Sequence, residues 1–134
     1  MKSSLTALAV VVVLMALGCH SRGPMAIQGT VTLDGQALSR GRIDFQPADG
    51  KGPTAAAVIR DGKYECSALP GRKTVRITGG KVVGSHHFTP DNPASPIVED
   101  VQPLVPPCYN TATTLSCEMT RGKSIYNFEL KSKP

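Results

Sequence analysis

The side chains most capable of chemistry in this 134-residue chain are four cysteines and three histidines. Cys66 and Cys117 both fall on the inward side of alternating segments, so a disulfide between them is the first expectation. Cys108–Cys117, Cys66–Cys108 and three reduced core thiols are the alternatives, because cysteine also packs as a small hydrophobe. A bond between 66 and 117 would close a loop of about 50 residues, worth ~4 kcal/mol in the chain-entropy model. His86 and His87 are adjacent, with Ser85 before them and Asp91 close by. In extended chain, neighbours point to opposite sides, so the two imidazoles do not converge on one ion, and a transition metal wants three or four ligands. Nucleophilic catalysis needs a nucleophile, a base and an orienting group held together. Ser85 beside His86 does not fix that geometry, and no carboxylate pair can be placed across one site. The reading is therefore no enzyme, no cofactor and no metal site. The rival is a metal- or thiol-dependent enzyme built from His86, His87 and Cys108 in the 81–112 stretch.

The fourth cysteine, Cys19, belongs to the N-terminus. Lys2 is followed by a nearly continuous apolar run from Leu5 to Leu17. As a helix that run rises about 20 Å, too short for a hydrocarbon core of ~30 Å. It reads as the apolar region of an export signal. Ala16-Leu17-Gly18-Cys19 resembles the bacterial lipobox, with Ala16 where leucine is usual and Leu17 one place later. The resemblance implies cleavage after residue 18, lipidation of Cys19 and attachment to the cell envelope on the periplasmic or outer-membrane side; two or three acyl chains anchor stably without a spanning helix. Residues 19–25 then form a polar tether. In the oxidising space outside the cytoplasm, the three remaining cysteines are an odd number, so an internal disulfide leaves one thiol, either free or paired between chains.

The rest of the chain alternates. Strands are expected at 26–33, 41–47, 54–60, 63–66, 72–78, 113–120 and 124–130. Asp34-Gly35 and Asp61-Gly62 are tight-turn signals, and Leu69-Pro70-Gly71 and Arg121-Gly122-Lys123 also turn. Residues 81–112 hold six prolines and break the rhythm. They read as a long Pro-rich loop over the surface, with Val82-Val83 able to prolong the strand before it. Residues 131–134 read as a frayed tail. Seven short strands, abundant Gly and Pro and no helical period give an all-β fold, packed as a β-sandwich.

Val31-Thr32-Leu33-Asp34-Gly35-Gln36-Ala37-Leu38, Gly41-Arg42-Ile43-Asp44-Phe45, Asp61-Gly62-Lys63-Tyr64 and Leu69-Pro70-Gly71-Arg72-Lys73-Thr74-Val75 form an ordered string. It resembles the carboxypeptidase regulatory-like domain, a seven-strand transthyretin-like sandwich with immunoglobulin-like packing. The resemblance is closer to short bacterial lipoproteins in which that domain stands alone. In them a segment like Pro106 to Thr111 precedes a strand like Thr114 to Met119, and one like Tyr126 to Leu130 follows. It covers residues 27–131 and implies a non-catalytic accessory scaffold; no binding residue comes with it. An enzyme branch of the transthyretin-like fold ends in Arg-Gly-Ser after a Tyr. Here the chain ends Phe128-Glu129-Leu130-Lys131-Ser132-Lys133-Pro134, without that ending.

The expected organisation is thus a signal over 1–18, a lipidated tether over 19–25, one domain over 26–131 and a tail. The net charge of +5 is scattered, without long basic runs or an aromatic ladder, so nucleic acid is not an expected partner. The expected role is a structural or protein-interaction module of the cell surface, contacting its partner through the 81–112 loop with Phe88 and Tyr109 as aromatic anchors. A carbohydrate-binding module is the other rival. It wants exposed aromatics on a sheet face, and the chain has no Trp.

Overall fold

The computed structural model describes residues 23–134. The signal, Cys19 and most of the tether lie outside the described residues. The described chain is all-β, as expected. Its strands are β1 (Met25–Leu33), β2 (Gln36–Ala37), β3 (Arg40–Pro47), β4 (Ala55–Arg60), β5 (Lys63–Ala68), β6 (Gly71–His87), β7 (Ile97–Pro103), β8 (Ser116–Met119) and β9 (Phe128–Leu130). Pro107–Tyr109 form a single 3₁₀ turn.

These strands make one curled sheet in the order β2-β1-β5-β4-β3-β6-β7, with β8 added on β6 and β9 on β1. All pairs are antiparallel except β1–β9. β1 serves two sets of neighbours: its residues 25–30 pair with β5, and residues 31–33 with β2 and β9. β4 and β5 pair only at Arg60 and Lys63, next to their connecting turn. The sheet is thereby free to bend around one core.

That core follows from the two-residue period of a pleated strand. Ile27 and Val31 of β1, Ile43 and Phe45 of β3, Ile59 of β4, Val75 and Ile77 of β6, Met119 of β8 and Leu130 of β9 are fully buried. Each such side chain contributes about 1.5–3 kcal/mol relative to exposure. Phe45 lies at the centre, its ring 5.8 Å from that of Tyr64 and 6.1 Å from that of Phe128, both tilted. The two Asp-Gly turns are as read. Asp34 and Gly35 stand at φ +52° and +80°, Asp61 and Gly62 at +50° and +76°, the paired positive values of a tight hairpin turn.

The count is nine strands rather than seven. β2 is a two-residue addition on the edge of β1. The larger difference is over 81–112, where a loop was expected. β6 continues to His87 and pairs with β7 from Gly80↔Pro103 up to His87↔Ile97, with a bulge between Val82 and Gly84. The prolines flank these strands instead of interrupting them. Pro90, Pro93 and Pro96 lie between β6 and β7, and Pro103 is the last residue of β7. No alternation marks Ile97–Pro103 because every residue there is exposed.

The pairings also fix which ends lie together. β3 pairs with β6 from Pro47↔Lys73 to Arg40↔Gly80 and goes no further. The β6–β7 hairpin therefore leaves the body beyond Arg40 as a two-stranded arm of six rows, about 20 Å at ~3.3 Å per residue. Met25, where the chain enters β1, pairs with Ala68 at the other end of the body. The N-terminal lead-in and the arm leave from opposite ends.

Candidate interaction surface

The arm brings together the residues that could act. Phe88, directly after β6, is 73% exposed and Ile97, directly across from His87, is 68% exposed. Val83, Val98 and Val101 are exposed as well. No residue between 81 and 104 belongs to the core cluster or packs against it. The arm is held by its own ladder and a few polar ties. Arg40 grips Glu99 with two hydrogen bonds, its Nε to Oε2 at 2.5 Å and its second guanidinium nitrogen to Oε1 at 3.0 Å. The hydrogen bond from Arg40 holds the Glu99 carboxyl below the usual carboxylate range and raises the guanidinium. At the tip, the Phe88 amide donates to the Pro96 carbonyl at 2.8 Å, and the Ser95 hydroxyl meets the Thr89 amide and carbonyl.

His86 and His87 point apart, as adjacent strand residues must. Nδ1 of His86 is 2.8 Å from Asp100 Oδ1 across the ladder, and Nδ1 of His87 is 3.1 Å from the Ser95 carbonyl. Among the described residues, no group of three metal-ligating side chains gathers. Both histidines stand in β6, not in a loop.

Cys108 lies elsewhere. It is half-buried in the 3₁₀ turn, within a strap that closes the outer edge of β6. Along that edge Thr113 donates to the Val75 carbonyl at 2.7 Å, Asn110 to the Ile77 carbonyl at 3.3 Å, and the Leu104 amide to the Gly79 carbonyl at 3.0 Å. Backbone groups left by the short β8 thus find partners, as buried strand edges require. The strap sits beside residues 75–79 and His86 is seven residues past Gly79, about 20 Å along the strand. The structure does not bring Cys108 to the histidines. Tyr109 is not an exposed anchor either. It is half-buried against the core, and its hydroxyl accepts the Lys131 amide at 3.0 Å.

Cys66 and Cys117 face inward, as the alternation indicates, and both pack partly against the core. They are free thiols here, as is Cys108. Burial pushes the thiols of Cys66 and Cys117 up. Beside them the Tyr64 hydroxyl donates to the Tyr126 carbonyl at 2.6 Å, and burial raises its pKa strongly. Lys73 was not singled out by sequence reasoning, yet it is 4% exposed on the inner face of β6. Its alternation with Val75 and Ile77 was the available signal.

A groove of about 770 Å³ opens on the body. Val58 and Arg60 of β4, Lys63 and Glu65 of β5, and Ile125 and Asn127 contribute to its walls. Arg60 and Lys63 alternate with the buried Ile59 and Tyr64, but nothing in the sequence shows that β4 and β5 separate here. Phe88 is the only fully exposed aromatic of the described residues, so no sheet face offers an aromatic platform for a sugar ring. Among the described residues, no helix is long and apolar enough to cross a membrane.

Comparisons with known proteins add little to this geometry. No family model matches the chain. No curated protein matches it either. A solved structure, a 9R-lipoxygenase from Cyanothece PCC8801, aligns over 81% of this chain and 16% of that one, with 11% identity and a TM-score of 0.38. A likeness of that size carries no argument, and the surface must be read from its own residues.

Proposed function

We propose that this chain is a non-enzymatic lipoprotein of the bacterial cell envelope, anchored through Cys19, whose β-domain holds out an arm to contact another protein. The domain is read as related to the carboxypeptidase regulatory-like scaffold on the ordered string of turns and strands beginning at Val31. One observation carries the functional reading. A long element that the core does not use exposes Phe88, Ile97, Val83 and Val98 to solvent. An isolated two-stranded hairpin is marginal in water, and large apolar groups exposed on such an element mark it as a contact surface. Anchoring is supported by the short apolar run and the small residue before Cys19. With six residues from Cys19 to Met25, the domain would stand close to the bilayer, its arm directed away.

The test is a chain in which residues 82–101 are replaced by Asn-Gly, which leaves Lys81 and Gln102 as the closing pair of a two-residue hairpin. Both forms are made as full chains, and crosslinked species are compared in the producing cells' membranes. The complete chain should give a crosslinked species that the shortened chain lacks, with both in the membrane fraction. The same species from both chains would overturn the proposal.

A further inference from the structure

We infer that the arm seats in the groove at β4 and β5 of a second copy of this chain, and that two copies exchange arms reciprocally. The inference rests on the arm being a contact surface and goes further by naming what it contacts. Charge is the first argument. Residues 82–103 contain Asp91, Glu99 and Asp100 and no Lys or Arg, whereas the rest of residues 23–134 holds thirteen basic and seven acidic residues. The arm is an acidic, apolar finger on a basic body. The groove is apolar with a small excess of positive charge: Val58 and Ile125, 58% and 52% exposed, form apolar walls, and Arg60 and Lys63 supply two cations against the single carboxylate of Glu65. Its volume of about 770 Å³ is enough for several side chains of a hairpin tip. Apolar contact with complementary charge at the rim is the pattern of a specific protein interface.

Position is the second argument. Arg60 lines the groove and is the strand partner of Arg40, which holds Glu99 at the arm's root. Groove and arm root are therefore neighbours on one molecule. When one copy's arm reaches the other's groove, the second arm and the first groove come together too, and a two-fold axis closes the pair. The competing self-association, edge to edge along β7, fares worse. A two-fold antiparallel pairing of Ile97–Pro103 sets Asp100 against its own copy, with Glu99 in the next row, and like charges across a ladder are destabilising.

The test uses the full chain with a photoreactive residue at position 88, co-produced with a differently tagged full chain and illuminated in intact membranes. The expected product joins the two tags, and its crosslinked peptide carries Val58 or Ile125. Val58→Glu in both chains should reduce it at least about tenfold, since a charge would replace an apolar contact at the interface. Val58→Glu only in the chain bearing the photoreactive arm should leave it, because that arm still meets an intact groove. Thermal unfolding of the Val58→Glu chain should match that of the parent, because Val58 is exposed. A crosslink on the other copy's β7 would overturn the groove assignment. A crosslink only to a different protein would overturn self-pairing and leave the contact-surface reading standing. No crosslink to any protein would remove both.

Discussion

Asp34 joins the two ends of the described chain. Its carboxylate accepts the Ser132 hydroxyl at 2.5 Å and the Ser132 amide at 3.0 Å. The tail is thus tied at Ser132, where fraying was expected, because a turn residue 98 positions away offers a free carboxylate. The Ser132 hydroxyl bond, then the Ser132 amide bond, hold the Asp34 carboxyl below its usual range, with Lys131 and Lys133 assisting. A lowered folded-state pKa means that the tie is in force above the unfolded-state value and is lost as pH falls through the folded-state one. Acidification below the ordinary carboxylate range should release residues 131–134 while the core stays folded, and Asp34→Asn should weaken the tie at neutral pH. Amide exchange at Ser132 reads both; unchanged protection would contradict this account. The half-buried thiols give a second residue-level outcome. With their pKa raised by burial, Cys66 and Cys117 hold less thiolate at pH 8 than free cysteine, so alkylation of the reduced, folded chain should be slower there than after denaturation. A Cys66–Cys117 disulfide in the exported chain remains a proposal, read as a gain of about 2 Da on reduction.

At the scale of elements, the arm depends on its root. Gly80 pairs with Arg40 on one side and Pro103 on the other, and a Cβ there would lie 1.7 Å from the Gln102 carbonyl oxygen. Gly80→Ala must move backbone and should cost about 1–3 kcal/mol, measured by denaturant unfolding. Arg40→Ala removes the exposed pair with Glu99 and should change global stability by no more than about 1 kcal/mol. It should nevertheless lower amide protection over 97–103 more than over β3 or β4; equal loss everywhere would contradict an arm held by local ties. The same contrast explains what the sequence could convey. β1, β3, β5 and the first half of β6 are buried on one face, so their apolar residues alternate and could be read directly. β7 and the outer half of β6 are exposed on both faces, so burial imposes no pattern, and the flanking prolines pointed to loop. Leu115, Cys117 and Met119 face inward as the alternation indicates, but β8 pairs only over 116–119, because the strap takes over the edge of β6. The groove was illegible for another reason. It arises where two strands part after a single paired position, a matter of sheet curvature rather than of residue type.

At the scale of the whole molecule, the described residues form a packed body and a projecting arm, and the proposed lipid anchor at Cys19 lies outside them. The body should unfold as one unit around Phe45. Phe45→Ala, which removes the ring between Tyr64 and Phe128, should cost about 3–5 kcal/mol in denaturant unfolding, against little change for Phe88→Ala. β1 runs about 30 Å from its Met25 end to the arm's end, and the arm adds about 20 Å. An anchored molecule of this shape carries the turns at 47–54, 69–72 and 120–124 next to the bilayer and Phe88 far above it. The most direct test is paramagnetic relaxation on the full lipidated chain, purified from its membrane and placed in vesicles with gadolinium-labelled headgroups. Signals from 47–54, 69–72 and 120–124 should broaden, and those from 86–98 should stay sharp. Broadening centred on 86–98, or none anywhere in the chain, would contradict an outward-facing arm on a lipid-anchored body.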